Sequence, residues 1–542
     1  MTRLTPSRVK GLRRRQDRFE PAKARGVSPL YGRNAELATL RSCLTQAREG
    51  QGQIVAVVGE AGIGKSRLLH EFVLGLDRSQ WIVLRAHCLA NDQGTPYRPL
   101  KELLRRGLFL QRISAERLAV ADVAMRLNAV APALSRFLPY YLHLLDVHSA
   151  EHPIPVGVSG PALSAHLVES LAALVTHGLA LRPIVMLIED WHWADSASDA
   201  GLMTLLGMAA QYPLLIVVTH RPDYTGRWID AQLTRIALRP LSPVDSAALA
   251  QSAAGANRLP ASVTGRIHAH TEGNPLFIEE LTRAYVETQV SRTSSVESDD
   301  VWAGIVSGTV QGVIRSRLSR LDEECVELLR LASVIGAQFS RRLLEQIAPP
   351  GLPVAAALER LQTSGAIRQV RVVPEPLFRF AHSIARLVVY ETLLLQRRLT
   401  LHEQVGFAIE RAAGDRLPDH VEALAHHYAR SANALQAVRY LEAAGDKAAR
   451  VFALREARRD YREALLRLRK DAPSEASASR GVDLALKWVQ VSFYQPSQEL
   501  VQAVEQARAD AQALGDGGRL ARTTFWAGAL HCARGSLVQA RE

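Results

Sequence analysis

The chain is poor in cysteine and has no long apolar run. Its 542 residues include four cysteines, which lie far apart and form no CxxC pair. This spacing argues against a zinc knuckle and fits a reducing compartment. The longest purely aliphatic stretches, such as residues 184–188, have five residues, whereas a membrane-spanning helix needs about 20. We therefore expect a cytoplasmic protein that does not cross a membrane.

Acidic residues are outnumbered by basic ones, mainly at one end of the chain. The formal net charge is +12, and residues 1–25 alone carry nine basic and two acidic side chains. In the rest of the chain the two signs are nearly balanced. We predict that residues 1–28 form a basic disordered tail. This tail either stays solvated or touches RNA, DNA or anionic lipid.

The remaining composition is that of an ordinary globular protein, with 47% apolar and 22% charged residues. At about 150 residues per domain, the length predicts three or four domains. Short apolar runs end at positions 58, 84, 188 and 218, and apolar residues at helical spacing lie between them. Strands that alternate with helices indicate a parallel sheet covered on both faces.

The strongest motif follows the first of these apolar runs. It matches GxxxxGK[ST] and reads Gly59-Glu60-Ala61-Gly62-Ile63-Gly64-Lys65-Ser66. The glycines allow consecutive backbone N–H groups to face a phosphate at the positive end of the following helix. Lys65 would reach the β- and γ-phosphates, and the Ser66 hydroxyl would bind Mg²⁺. The motif predicts a phosphate-binding loop for a nucleotide, ATP or ADP.

Two carboxylates, Glu189 and Asp190, follow the apolar run of residues 184–188. Ligands of parallel sheets bind at the carboxyl ends of strands, where the phosphate loop also lies. One carboxylate would hold Mg²⁺, and the other would orient an attacking water. We assign Glu189 to the metal and Asp190 to the water, and the sequence leaves the reverse order open. Asp195 is expected to cap the next helix.

A third strand end carries polar side chains, in the order Thr219-His220-Arg221. A polar residue at this position would sense the γ-phosphate, and Arg221 would pair with it through two hydrogen bonds. The predicted catalytic residues are therefore Lys65, Glu189, Asp190 and Arg221.

Five strings in this chain resemble the STAND branch of AAA+-related P-loop ATPases: LYGRNAEL, GEAGIGKS, LIEDWHWAD, VVTHRPD and GNPLFIEEL. The nearest resemblance is to the module of large LuxR-type bacterial regulators, which is also fused to class III adenylate cyclases. It covers roughly residues 29–410. It implies an α/β P-loop ATPase domain (29–225), a helical lid and linker (226–300), a winged helix (301–415) and tetratricopeptide-like repeats (416–542).

The same resemblance implies roles for two residues outside the phosphate loop. Pro275 would pack near the adenine, and His382 would sense the β-phosphate of ADP. Helix capping gives a second explanation for the segment around Pro275, since Asn274 is a good N-cap and Pro275 suits the first helical position. A histidine at a helix start is likewise often a cap or a surface residue.

The region beyond position 418 matches part of a tetratricopeptide repeat at Leu424, Ala425, Tyr428, Ala437, Leu441 and Ala444. A plain helical bundle is the alternative, because such spacings occur in any amphipathic helix pair. Stacked helix pairs would bind a protein partner or a small-ligand inducer. A last partial match falls close to position 542, which predicts a truncated family member with a frayed helix at residues 519–533.

The resulting hypothesis is a nucleotide-dependent signalling switch that slowly hydrolyses ATP and self-associates when it opens. One alternative is the ATPase of a LuxR-type transcription regulator, in which winged-helix arginines contact DNA: Arg368, Arg371, Arg379, Arg386, Arg397 and Arg398. A second alternative is the regulatory portion of an adenylate cyclase. This chain alone would then make no cyclic AMP, because only 28 residues precede the ATPase module.

Overall fold

The structure is a computed structural model that describes residues 29–534, apart from residues 90–94, 111–112, 114–116, 227, 229–232, 291–311, 313, 316–317, 319–320, 373–374, 382, 471–473 and 494. It divides into two compact units. One unit contains residues 33–239 and 395–542, and the other contains residues 1–32 and 240–394. The predicted ATPase domain and helical repeats therefore lie largely in one unit, and the predicted lid and winged helix in the other.

A five-stranded parallel sheet forms the centre of residues 33–239, with the strand order β2-β3-β4-β1-β5. The strands are β1 (Gln53–Val58), β2 (Ile82–His87), β3 (Ile184–Glu189), β4 (Leu214–His220) and β5 (Thr234–Ala237). All residues of β3 and β4 are buried. This burial explains why these strands consist of apolar runs without alternation. The structure confirms the predicted parallel α/β sheet.

The edge strand β5 corrects one expectation. Residues 226–290 were predicted to be helical, but Thr234–Ala237 pairs with β1 in the sheet. In this four-residue strand only Ile236 is buried. A short edge strand buries one face at most, so its sequence carries no apolar run that would reveal it.

Seven helices accompany this sheet in the described residues: α1 (Asn34–Arg48), α2 (Lys65–Leu74), α3 (Arg98–Gly107), α4 (Val120–Val130), α5 (Leu138–Leu144), α6 (Gly160–Leu181) and α7 (Ser196–Ala209). By length and composition, α6 is long and apolar enough to cross a membrane. Its side chains Leu163, Leu167 and Leu171 pack in the same core as the sheet. A core helix of this kind passes the same test, so the finding is weak evidence for a span.

The second unit begins with three helices, α8 (Pro243–Ala253), α9 (Ala261–Thr271) and α10 (Pro275–Val290). They share a small core that includes Leu249, Ile267 and Ile278. Next comes the order expected of a winged helix: α11 (Glu323–Ile335), β6 (Gln338–Ser340), α12 (Arg341–Ile347), α13 (Val354–Thr363), β7 (Ile367–Arg371), β8 (Leu377–Phe380) and α14 (Ser383–Glu391). Its three strands form an antiparallel sheet.

The last part of the chain is helical throughout its described residues, as predicted. It contains α15 (Leu395–Ala413), a 3₁₀ segment (Gly414–His420), α16 (Val421–Tyr428), α17 (Ala434–Arg450), α18 (Leu454–Leu468), α19 (Glu475–Gln490), α20 (Gln498–Ala513) and α21 (Gly517–Ala533). All six residues that matched the repeat pattern are buried in one core. At Gly445 a Cβ atom would lie 2.7 Å from the Tyr461 ring, so the close approach of α17 and α18 requires glycine there.

Candidate functional site

The phosphate loop connects β1 to α2, as the motif requires. Gly62 and Gly64 have φ angles of 82° and 102°, a region that residues with a Cβ rarely adopt. Gly64 is the residue directly before α2, so the loop delivers the chain to a helix N-terminus. The Lys65 side chain is 8% exposed, and its Nζ donates to the carbonyls of Gly59 (2.6 Å) and Glu60 (2.9 Å). The ammonium group is therefore folded over the loop.

Arg33 holds this loop through a hydrogen bond, a role that was not predicted from the sequence. Its buried guanidinium donates to the carbonyl of Ile63, inside the loop, at 3.2 Å. It also donates to the carbonyl of Arg239 at 2.7 Å and pairs with Glu36 at 3.2 Å. The string LYGR places this arginine directly before α1, but nothing in the sequence indicates that its guanidinium is buried.

The two carboxylates lie at the carboxyl end of β3, next to β4. Glu189 is the last strand residue and is buried, with its Oε1 atom 3.2 Å from Nε2 of His87 at the end of β2. Asp190 has a φ of 58°, and its N–H donates to Oγ1 of Thr219 at 2.9 Å. The two acids therefore have different environments: one is a buried side chain facing a histidine, and the other is half-buried at a turn.

The end of β4 lies beside the phosphate loop, because the N–H of Gly59 donates to the carbonyl of His220. His220 is buried, and its ring packs edge-on against Trp228. The guanidinium of Arg221 lies 5.5 Å from the centre of the Trp193 ring, within cation–π range. The structure thus brings the loop, the acid pair and Arg221 to the same edge of the sheet.

His192 follows the acid pair and belongs to the same site. Both of its ring nitrogens are buried without a hydrogen-bond partner among the described residues, as is Nε2 of His220. Burial is the main reason that the pKa of His192 falls to about 4. Asp190 opposes this fall, and the positive charges of Arg221 and Lys65 add to it. Unpaired buried imidazole nitrogens are costly. A neutral ring has one donor and one acceptor nitrogen, so this edge suits a polar ligand that supplies both kinds of hydrogen-bonding group.

Residues 29–218 match the family model of the AAA ATPase domain. The chain contains an AAA ATPase domain. The match covers the phosphate loop, the acid pair, the strands β1 to β3 and residues 214–218 of β4. Residues 243–290 match a further family described as a domain of unknown function, which coincides with α8 to α10 in the second unit.

One relative of the chain is an uncharacterized protein of Rhizobium meliloti (strain 1021), which is 29% identical over 459 residues. The alignment covers 83% of this chain and 43% of the relative, so the chain spans less than half of that protein's length.

Two solved structures are similar to the chain. One is a STAND protein with a tetratricopeptide repeat sensor from Pyrococcus horikoshii, which is 13% identical to this chain. The alignment covers 95% of this chain and 76% of that chain, with a TM-score of 0.41. The other is Drosophila ORC bound to DNA, with 11% identity, 73% and 97% covered, and a TM-score of 0.33. Because both scores are low, the fold assignment rests on the strand order and the AAA ATPase match.

The residues of the AAA ATPase site suit a magnesium nucleotide. Oxygen donors, which Mg²⁺ prefers, come from Ser66 in the first turn of α2 and from Glu189 and Asp190. A helix N-terminus and a lysine suit the phosphates. Among the described residues, no group of three or more His, Cys, Asp or Glu side chains that could hold a metal ion stands together.

The contacts described above do not test two of the predicted ligand residues, Pro275 and His382. Pro275 is the first residue of α10, and the side chain of Asn274 accepts from the N–H of Leu276 at 3.1 Å, as expected for a cap. Pro275 belongs to the second unit, so its contact with adenine stays a prediction. His382 lies outside the described residues, and its sensor role also stays a prediction.

The winged-helix arginines are partly engaged inside their own unit. Arg371 donates to the carbonyl of Glu375, and Arg386 donates to the carbonyl of Ser333. Both contacts lie within the predicted winged helix. They offer no specific observation in favour of DNA binding.

Proposed function

We propose that the chain is a STAND-type signalling switch, which binds ATP, hydrolyses it slowly and couples the nucleotide state to a regulatory output. The observation that carries this proposal is the meeting of the phosphate loop, Glu189, Asp190 and Arg221 at one edge of the parallel sheet. This edge is where parallel sheets bind ligands. The AAA ATPase match supports the ATPase part of the proposal.

In this proposal the loop residues Gly59 to Ser66 hold the phosphates, with Lys65 as the main positive charge. Ser66 and Glu189 hold Mg²⁺, which neutralises charge on the phosphate oxygens when it is bound. Asp190 orients the attacking water and accepts its proton. Arg221 detects the γ-phosphate, and the pairing is bidentate. Slow hydrolysis of ATP to ADP then resets the switch.

The regulatory part rests on the strings LIEDWHWAD and GNPLFIEEL and on the helical region after position 395. In the resting state, ADP would be held with help from Pro275 and His382. A protein partner or a small inducer bound to the repeats would favour opening, exchange for ATP and self-association. Such a switch would act in the cytoplasm, where its separated cysteines stay reduced.

The nucleotide that co-purifies with the chain tests this proposal directly. We expect ADP at close to one equivalent after denaturation and chromatography. Recovery of no nucleotide, together with no binding of a fluorescent MANT-ATP analogue, would contradict the proposal. Addition of ATP and Mg²⁺ should change the sedimentation coefficient if opening leads to self-association.

A further inference from the structure

The N-terminus of α7 is capped from two directions, and this helix follows the acid pair of the ATPase site. The first cap comes from the adjoining residue, since Asp195 accepts from the N–H (2.9 Å) and the hydroxyl (2.6 Å) of Ser198. The second cap comes from the helical repeats. Glu456 in α18 accepts from the N–H (2.9 Å) and the hydroxyl (2.9 Å) of Ser196.

A carboxylate suits this position for two physical reasons. The first four N–H groups of a helix have no partner inside the helix, and the N-terminus carries a partial positive charge. Glu456 is only 5% exposed, so its contact with Ser196 is weakly screened by water. A helix of the repeats thereby completes the capping of a helix of the AAA ATPase domain.

Other contacts fix the same junction within this unit. The hydroxyl of Tyr97 donates to the carbonyl of Val451 at 3.4 Å, and the N–H of Tyr97 donates to Asp195 at 3.0 Å. The ring of Phe452 lies against Gly160 at the start of α6. The corner between α17 and α18 therefore touches the ATPase domain at several points around Glu456.

The junction also contains repulsion between buried carboxylates. Burial raises the pKa of Asp195 to about 6, and the charge of Glu456 adds to this rise. Burial also raises the pKa of Asp460 to about 6, and Glu456 again contributes. Glu456 thus repels both Asp195 and Asp460, while Arg459 pairs with Asp460 at 2.7 Å and the helix N-terminus favours negative charge.

Rigid local structure connects this cap to the acid pair. The N–H of Trp193 donates to the carbonyl of Asp190 at 3.0 Å, and that of Ala194 donates to the carbonyl of Trp191 at 2.7 Å. The buried Trp191 ring donates through Nε1 to Asp199 in the first turn of α7 at 3.0 Å. A displacement of the start of α7 must therefore move the turn that holds Asp190.

We propose that Glu456 is a positioning residue for the ATPase site, which links the state of the repeats to the placement of Asp190 through Ser196. This inference rests on the proposed function and names the route of its regulation. A ligand that moves α18 would loosen the turn at Asp190. Because such coupling is reciprocal, nucleotide binding should in turn protect α18.

The test compares Glu456→Ala, Glu456→Gln and the control Glu463→Ala in the full chain. Glu463 lies on the same helix, but it is 40% exposed and pairs only with Arg467 in the described residues. We expect Glu456→Ala to lower kcat for ATP hydrolysis about tenfold, the effect of losing one charge-assisted hydrogen bond. The affinity for MANT-ATP should stay within about twofold, because the phosphate loop is untouched.

Two further readouts separate positioning from a general loss of structure. Without nucleotide, amides 191–199 should exchange faster in Glu456→Ala than in Glu463→Ala, while the amides of β1 stay protected. Glu456→Gln keeps an acceptor for Ser196 and should restore part of kcat. Equal kcat and equal exchange in all three variants would overturn the inference, as would a uniform loss of protection across the sheet. If these outcomes occur while wild type still binds nucleotide, only the inference about Glu456 fails and the proposed function stands. If wild type binds no nucleotide, the proposed function itself fails.

Discussion

The ATPase region (33–239) and the helical region of residues 395–534, which contains the predicted repeats, belong to one unit but differ in how their charged groups are placed. At the sheet edge of the ATPase region, Lys65 and Glu189 are buried. Lys65 contacts backbone carbonyls, and Glu189 contacts a histidine. In the repeats, charged groups form ion pairs between neighbouring helices. These pairs include Lys487–Asp446, Arg480–Glu442, Arg462–Glu499 and Arg519–Asp483, and their side chains are partly exposed.

The comparison distinguishes buried charged groups at a candidate ligand site from exposed ion pairs at the protein surface. A buried charge is expensive unless it is paired, so it persists where a function requires it. Exposed ion pairs contribute little to stability, typically about 0.2–1 kcal/mol. Glu456, Asp460 and the pair His402–His427 are exceptions in the repeats, because they are buried there. Substitutions in each region should therefore have very different effects.

The largest effect is expected for Lys65→Ala. The variant should lose MANT-ATP binding, because the phosphates lose their main point-charge partner. The measurement is a fluorescence titration with and without Mg²⁺. Lys101→Ala is the matched control, since Lys101 pairs with Asp146 away from the loop and should leave affinity unchanged. Unchanged affinity in Lys65→Ala would show that the loop does not hold the nucleotide.

The acid pair should give a large but different effect. Asp190→Asn should keep ATP bound and slow hydrolysis by about 100-fold or more, since an amide does not accept the proton of water. Glu189→Gln should raise the Mg²⁺ concentration needed for half-maximal activity by about tenfold. Single-turnover hydrolysis and Mg²⁺ titrations measure the two effects. Exchanged phenotypes would show that the roles of the two acids are reversed.

The fold was predictable wherever one physical signal dominated. Continuous apolar runs marked β1, β3 and β4, because these strands are buried on both faces. Buried alanines, leucines and tyrosines at helical spacing marked α16 and α17. The edge strand β5 escaped because only Ile236 in it is buried. Its place depends on pairing with β1, which is a contact distant in the chain.

The sequence motifs predicted the residues of the candidate site, but not the contacts that hold those residues in place. Lys65, Glu189, Asp190 and Arg221 were named because their chemistry and strand positions recur in nucleotide sites. The pairing of His87 with Glu189 was not predicted, because β2 and β3 are neighbours in space but distant in sequence. The Glu456 contact was missed for the same reason, since 260 residues separate it from Ser196. Nothing local distinguishes that glutamate from the surface glutamates around it.

The buried pair His402–His427 should make stability depend on pH in the repeats. Their Nδ1 atoms lie 3.0 Å apart, so one ring donates to the other when both are neutral. Burial lowers the pKa of His427 well below its ordinary value, and positive charge on His426, His402 and Arg430 adds to this. The unfolded chain therefore takes up protons first, near pH about 6.5. The contribution of the neutral pair is complete above that pH and declines as the pH falls below it.

Thermal melts between pH 8 and pH 5 measure this dependence. This range spans the pKa of about 6.5 of a histidine in the unfolded chain. One proton changes the free energy of unfolding by at most about 1.4 kcal/mol per pH unit. His427→Asn should flatten the slope by part of that amount, whereas the exposed control His166→Asn should leave it unchanged. Equal slopes in wild type and His427→Asn would mean that this pair does not sense pH.

The smallest effect is expected for Arg462→Ala, which removes an exposed ion pair between α18 and α20. The guanidinium Nε lies 2.7 Å from Glu499, but the two side chains are 49% and 44% exposed. Water screens the attraction, and ordering two long side chains costs conformational entropy. We expect the free energy of unfolding to fall by no more than about 0.5 kcal/mol, measured by urea denaturation. Glu456→Ala lies six residues away on the same helix and should cost clearly more, because it uncaps a buried helix N-terminus. If the two variants lose equal stability, burial does not separate these two kinds of charge, and the contrast between the regions fails.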